Sequence, residues 1–358
     1  MRPLPLTVVG AGGLLAGEAL RLAAGHPYLE LQQVVTRTPG TPLVELQPQL
    51  AARTCAGLTT VDLATATGTL HATLEDPDAR AVVLLGLPHA ETARTWRALR
   101  EELGARAARV VVLDLSADYR LADPDVYARW YGAHEDPSEL ASFRYGLPEL
   151  AGESLQGATR IAAPGCFATA LQLACVPAAR SGLLDVDAVW SLQAVTGSSG
   201  SGVKPRVGTH HPFRASNLLA YGLGGHRHEA ELEQALDASP RLAFVPHSGP
   251  FVRGIHLTAV LPTAGPPDAD ATRALYAETF AEHPFVEVLD GDAVPELRRV
   301  VGSNRAQLAV HAKAGALVVL VALDNVVKGG AGQALQALNL SQGWPETSGL
   351  PIDALGVA

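Results

Sequence analysis

The sequence predicts an α/β protein in which a doubly wound parallel sheet is followed by an α+β domain with a mixed or antiparallel sheet. Three observations carry this. Leu6-Thr7-Val8-Val9 runs into the glycine turn Gly10-Ala11-Gly12-Gly13 and then into a helical stretch. Ala81–Leu85 and Val110–Leu113 are continuous apolar runs, as expected of strands buried on both faces, with a charged helical stretch, Ala90–Leu103, between them. After Ala188 the strand-like segments 188–196, 242–246, 255–261 and 316–323 are interrupted by few helical ones, which suits an antiparallel sheet. A chain of 358 residues can build two such domains, each with its own core.

The first strand and its helix, stopped at Gly25-His26-Pro27, lead to a second strand at Leu29–Val35. This is a βαβ unit of the Rossmann type. Glycines at its first turn let backbone approach a pyrophosphate, and the helix N-terminus faces that anion, so Gly10, Gly12 and Gly13 are candidate cofactor contacts. The second strand ends in Thr36-Arg37-Thr38, with no acidic residue to grip a ribose 2′-hydroxyl. An Arg flanked by hydroxyls suits a 2′-phosphate, so NADP(H) is expected over NAD. The alternative for Arg37 is a solvated surface charge.

Residues 38 to 78 read as loop with one or two short elements. The third strand closes in Gly86-Leu87-Pro88-His89 and the fourth in Asp114-Leu115-Ser116-Ala117-Asp118-Tyr119-Arg120. Polar residues at the carboxyl ends of parallel strands line the ligand crevice, which makes Ser116, Asp118 and Arg120 candidates. Arg120 can hold an anionic substrate or pair with Asp118 or Asp123. Tyr127, Trp130, Tyr131, Phe143 and Tyr145 read as a small packing cluster between domains.

Cys166 follows Ala163-Pro164-Gly165 and precedes an Ala- and Leu-rich helix over 168–179. A thiol where a helix begins meets unpaired N–H groups and the positive end of the helix dipole, which favour the thiolate. It reads as a nucleophile; otherwise it is a small packed thiol. The loop Gly197-Ser198-Ser199-Gly200-Ser201-Gly202 is dense in N–H and hydroxyl donors for an oxyanion, without triphosphate-site spacing. His226 and His228 lack a ligand set at zinc spacing, so no metal is expected. Glu231, one helical turn after His228, can orient that imidazole for acid–base work.

Composition excludes other classes. Net charge is −9 with basic residues scattered, which argues against nucleic acid. Apolar residues make up 47% without a membrane-length run. The three cysteines, Cys55, Cys166 and Cys175, cannot all pair, and with no signal peptide a reducing cytoplasm is expected.

The motifs in Gly10–Gly13, Leu87–His89, Asp114–Arg120, Ala163–Cys166, Gly225-His226-Arg227-His228, Val252-Arg253-Gly254 and Asp324-Asn325-Val326-Val327-Lys328-Gly329 occur in the order of the N-acetyl-gamma-glutamyl-phosphate reductases, which the chain resembles over almost its full length. It also resembles the sister enzyme of lysine biosynthesis, which reduces an aminoadipyl phosphate on a small acidic carrier protein. Phe167–Ala170 and Val195–Gly200 look closer to the arginine type, and Gly343-Trp344-Pro345-Glu346-Thr347 to the lysine type. The resemblance implies NADPH-dependent reduction of an acyl phosphate to a semialdehyde through a Cys166 thioester. His228 is then the first choice for the acid–base group and His226 the second. Ser199, Arg120 and Arg253 become substrate residues, and Thr36, Arg37, Pro88, Ser116 and Asn325 cofactor residues. The resemblance further implies an NADP-binding domain of residues 1–162 and 326–358, a catalytic and dimerisation domain of residues 163–325, and a homodimer or homotetramer. One departure stands out: the family turn Gly-Ala-Ser-Gly-Tyr-Thr-Gly has Gly12 for Ser, Leu14 for Tyr and Ala16 for the last Gly. Two other readings are aspartate-semialdehyde dehydrogenase and a non-catalytic NADP-binding protein.

Overall fold

The computed structural model describes residues 2–51 and 57–356; Cys55 lies outside them. The chain divides into two compact units, Met1–Pro164 with Ala331–Leu350, and Gly165–Gly330 with Pro351–Ala358. Residues 326–330 and the segment from Pro351, expected with the cofactor domain, group with the second unit. Hydrogen bonds explain why. The Asp324 carboxylate accepts the N–H groups of Val326 and Val327 at 2.8 and 3.0 Å. Pro351 O accepts Asn304 N–H at 2.8 Å, and Val301 O accepts Leu355 N–H at 2.9 Å.

In the first unit, strands β1 (Leu4–Val9), β2 (Leu29–Val35), β3 (Ala81–Leu85), β4 (Val110–Asp114), β5 (Arg144–Tyr145) and β6 (Arg160–Ala162) form a parallel sheet in the order β2-β1-β3-β4-β6-β5. β3 and β4 are buried throughout, which their unbroken apolar runs foretold. Strand order reverses at β1, the place where such sheets open a crevice. Gly10 turns there with φ +85°, and a Cβ on it would stand 2.6 Å from Gly86 O. Only glycine fits that turn.

Between 38 and 78 lie the short helix Leu43–Leu46 and a full helix, Leu63–Thr73, capped by Asp62 accepting Thr65 N–H at 2.8 Å. Its Ala-, Thr- and Gly-rich sequence has too weak an apolar stripe to announce it. The aromatic cluster packs within this unit: Tyr119 stacks on Phe143 and Tyr127 on Tyr131. The late helix Gly332–Ser341 also belongs here. Leu335 and Leu338 are fully buried, and so are Gln333, Gln336 and Asn339. Gln336 Nε2 donates to Glu149 Oε1 at 2.8 Å, and Asn339 Oδ1 lies 2.9 Å from His26 Nε2. The helix is therefore buried on nearly every side, with Gln336 and Asn339 hydrogen-bonded and only Gln333 Oε1 among its side-chain amides left without a partner among the described residues.

In the second unit, β7 (Val189–Thr196), β8 (Leu219–Ala220), β9 (Arg241–Ser248), β10 (Ile255–Pro262), β11 (Val286–Val288), β12 (Ala306–Lys313) and β13 (Ala316–Leu323) form a mixed sheet ordered β11-β12-β13-β10-β7-β9-β8. Its centre is antiparallel, while β7/β9 and β11/β12 are parallel. The helix Cys166–Arg180 packs on one face. Ile255, Leu257, Ala259 and Leu261 alternate inward on β10, leaving His256, Thr258 and Val260 half-buried on the other face. No helix among the described residues is long and apolar enough to cross a membrane.

Candidate active site

Predicted site residues occur in both units. In the first, Gly13 is the N-cap of helix Leu14–Ala23, whose first-turn amides have no partner within the helix. Around a Cβ placed on Gly12 nothing lies closer than Leu46 Cδ1 at 3.8 Å, so the turn stays open over its amides. Gln47 Nε2 donates to Ala11 O at 2.5 Å. An exposed amide row at a helix start, beside a sheet switch point, fits a dinucleotide pyrophosphate. Ala16, where the family has Gly, packs its Cβ toward Gly86, whose own missing Cβ makes the room.

Thr36 Oγ1 donates to Thr38 O at 2.9 Å, and the exposed Arg37 forms an ion pair with Glu91. Pro88 O accepts Glu91 N–H at 3.1 Å in the turn before helix Glu91–Leu103. Ser116 Oγ accepts Asp118 N–H at 3.0 Å. Asp118, read as lining the crevice, is instead fully buried: its carboxylate accepts Ala90 and Ala93 N–H at 2.8 and 2.9 Å, capping that helix. Asp114 accepts Ser116 and Tyr119 N–H, and burial together with Asp118 pushes its carboxyl up to about 6. Arg120, a candidate for substrate, donates from Nε to Ala163 O at 2.8 Å.

In the second unit Cys166 is the first residue of the helix Cys166–Arg180, with Gly165 as N-cap, and it is partly exposed. Two glycines make room around it. A Cβ on Gly165 would lie 2.4 Å from His228 Nε2 and 2.7 Å from Glu231 Oε1, and one on Gly329 would lie 2.8 Å from Cys166 Cβ. Glu231 Oε2 accepts Gly165 N–H at 2.9 Å, while Oε1 is 3.9 Å from His228 Nε2. The expected His228–Glu231 pairing is thus a close approach, and the hydrogen bond itself goes to the nucleophile's cap.

His226 is ringed edge-on by Phe167, Phe244 and Tyr221, with centroids at 5.6, 5.5 and 6.0 Å. Its Nδ1 accepts His228 N–H at 3.3 Å and its own N–H donates to Glu229 Oε1 at 2.6 Å. The neutral ring therefore carries its proton on Nε2. Burial, reinforced by Arg227, pushes the imidazole down to about 4. Tyr221 is a neighbour the sequence reading missed: burial and the Cys166 sulfur push its phenol upward. An aromatic just before the His-Arg-His motif was the signal available.

Ser199 and Asn325, expected at substrate and cofactor respectively, are hydrogen-bonded to each other. Asn325 Nδ2 donates to Ser199 Oγ at 2.9 Å and its Oδ1 accepts Gly254 N–H at 2.7 Å, while Ser199 Oγ donates to Val252 O at 2.7 Å. Arg253 Nε lies 3.0 Å from Asp324 Oδ2. Asp324, fully buried, also accepts Gly302 N–H at 2.7 Å. Cys175, by contrast, is buried in the helix interior and burial pushes its thiol upward. Among the described residues no group of three or more His, Cys, Asp or Glu is placed to hold a metal ion.

An amide-lined turn at a parallel-sheet switch point in one unit and a helix-start thiol among imidazoles in the other define an oxidoreductase class. Residues 6–158 match the semialdehyde dehydrogenase NAD binding domain and residues 166–325 the semialdehyde dehydrogenase dimerisation domain. Aspartate semialdehyde dehydrogenase II of Vibrio cholerae superposes with a TM-score of 0.66 at 15% identity, covering 95% of this chain and 98% of that one. The Candida albicans aspartate semialdehyde dehydrogenase with NADP gives 0.64 at 13% identity, covering 94% and 98%.

The N-acetyl-gamma-glutamyl-phosphate reductase of Saccharopolyspora erythraea is 39% identical over 99% of this chain and 98% of its own length. That of Polynucleobacter asymbioticus is 38% identical over 96% and 97%. The [LysW]-L-2-aminoadipate 6-phosphate reductase of Deinococcus radiodurans is 39% identical over 96% of each. The chain belongs to the semialdehyde dehydrogenase family, in the branch of the N-acetyl-gamma-glutamyl-phosphate reductases and their aminoadipate counterpart.

Proposed function

We propose that this chain reduces an N-acylated gamma-glutamyl phosphate to the semialdehyde, with release of phosphate, as a step of arginine biosynthesis. The carrying observation is Cys166 at the first position of its helix, with His228 against the preceding Gly165, His226 against the following Phe167, and glycines clearing the approach. The thiolate attacks the acyl carbonyl carbon, the acyl–phosphate C–O bond breaks, and phosphate leaves a thioester on Sγ. The thiol proton passes to an imidazole of the His226–His228 pair, with His228 the first choice and His226 the second. Gly10, Gly12, Gly13, Thr36, Arg37, Pro88, Ser116 and Asn325 would hold NADPH, which when bound would supply the hydride for reduction of the thioester. The imidazolium gives its proton to the thiohemiacetal oxygen and takes it back as the C–S bond breaks, which releases aldehyde and thiolate. Arg120, Ser199 and Arg253 hold the substrate's anionic groups. The open face of the mixed sheet, with Val195, His256, Thr258, Val260, Val318 and Leu320 half-buried, suits a second copy, so the working form is a homodimer or a tetramer of such dimers. A free thiol of this kind requires a reducing compartment, the cytoplasm.

The test is phosphate-dependent reduction of NADP+ by N-acetylglutamate semialdehyde, run beside NAD+. Turnover that needs phosphate supports the reading, and none with this or the aminoadipyl substrate rejects it. One observation favours the carrier-linked aminoadipyl substrate as a second reading. Residues 197–228 contain no Asp or Glu, and Lys204, Arg206 and Arg227 are exposed there, a surface suited to an acidic carrier. Comparing turnover of the two acyl phosphates separates the readings.

A further inference from the structure

Arg214 ends the short helix His211–Arg214 and lies in the stretch that lacks any acidic residue. Its Nη1 donates to Ser248 Oγ. Nε and Nη2 are shielded from solvent and have no hydrogen-bond partner among the described residues. Shielded guanidinium donors without an acceptor are costly, and among the described residues no carboxylate hydrogen-bonds to these two. Nε and Nη2 together form the side-on edge of the guanidinium, the edge that takes two coplanar oxygens at once. Tyr221 is the link to the chemistry: Leu219, two residues before it, pairs with Ser248, its own N–H donates to Pro246 O at 3.0 Å, and its ring lies edge-on to His226 at 6.0 Å. Thus the serine that holds the guanidinium and the imidazole of His226 adjoin one short segment, Leu219 to Tyr221.

We propose that the Nε–Nη2 edge of Arg214 is a binding site for an oxyanion of the substrate, its carboxylate, which seats the acyl group for attack by Cys166. The assignment deepens the acyl phosphate reading and rests on it for the identity of the substrate, but the presence of an anion site beside the thiol is testable without that reading.

The probe is alkylation of Cys166 by iodoacetate, which carries a carboxylate next to its reactive carbon, against neutral iodoacetamide, with the labelled peptide identified by mass. Arg214→Gln is expected to lower the iodoacetate-to-iodoacetamide rate ratio about tenfold, the effect of losing one charge-assisted bond. Arg214→Lys, which keeps the charge but not the fork, falls between, and Lys204→Gln leaves the ratio unchanged. In the reverse reaction Arg214→Gln raises KM for the semialdehyde with little change in kcat. A rise in KM for phosphate alone overturns the carboxylate assignment and gives the site to the leaving group. An unchanged alkylation ratio in a folded Arg214→Gln variant overturns the site itself, whether or not the acyl phosphate is turned over.

Discussion

Glu231 Oε2 accepts the N–H of Gly165 at 2.9 Å while its other oxygen stands 3.9 Å from His228 Nε2, so one buried carboxylate touches the cap of the nucleophile's helix and the imidazole behind it. Replacing it with Ala strands a buried amide, at a cost of about 1–3 kcal/mol, and frees the turn that fixes Cys166. Glu231→Ala is therefore expected to lower the thermal midpoint and to slow iodoacetamide labelling of Cys166. Glu231→Gln, which keeps an acceptor, preserves more of the midpoint than of the rate. Equal losses of both in the two variants contradict a role of the charge.

The glycines flanking the thiol are steric requirements. Gly165→Ala drives a methyl to within 2.4 Å of His228 Nε2, and Gly329→Ala to within 2.8 Å of Cys166 Cβ. Each is expected to destabilise by about 1–3 kcal/mol, the usual cost of overpacking. Denaturant titration checks the stability and steady-state kinetics the predicted fall in kcat; Gly208→Ala, with open space around its Cβ, is the control.

Cys166→Ser is expected to reduce acyl phosphate turnover by a factor of about a thousand or more, since the hydroxyl is neither ionised nor a comparable nucleophile. Cys175→Ala leaves turnover within a few-fold and lowers stability slightly. Persistent turnover in Cys166→Ser excludes the thioester route.

Acid should weaken the fold through His226. Its folded value of about 4 lies below the ordinary value of 6.5, so between these limits the unfolded chain binds more protons. Stability from this group is complete above about 6.5 and is lost as pH falls toward 4. The charged and titratable groups around the ring are Arg227, His228, Glu229 and Tyr221, with the Phe167 and Phe244 rings excluding water. His26 and His256, also lowered by burial, add to the trend in the same direction. The measurement is the thermal midpoint from pH 7.5 to 4.5 in wild type and His226→Gln, the variant showing the shallower decline.

Arg37, just after β2, pairs with Glu91 at the start of the helix Glu91–Leu103. A 2′-phosphate has to draw the guanidinium from that partner. Arg37→Ala should raise KM for NADPH at least tenfold while leaving KM for NADH little changed. Glu91→Gln should shift KM for NADPH the other way. Equal effects on both dinucleotides would remove Arg37 from cofactor choice.

Local signals were strong where one physical cause dominates. Leu29–Val35, Ala81–Leu85, Glu229–Leu236 and Ala316–Leu323 occupy the limits their patterns suggest, because apolar runs and helix periodicity are decided by neighbours in the chain. Strand β12, helix Leu63–Thr73 and the five-residue π-helical turn Val327–Ala331 escaped, because their sequences lack a distinctive period or turn.

Sequence alone determined the parallel α/β start, the glycine turn after β1, the thiol at a helix start and the family motifs, all of which depend on residues adjacent in the chain. Only the tertiary structure decided that Glu231 serves Gly165, that Asp118 caps a helix instead of facing ligand, and that Arg214 turns two donors inward without an acceptor. Those outcomes depend on which buried polar groups meet across dozens of residues, and hydrogen-bond partners at such separation leave no periodic trace in the chain.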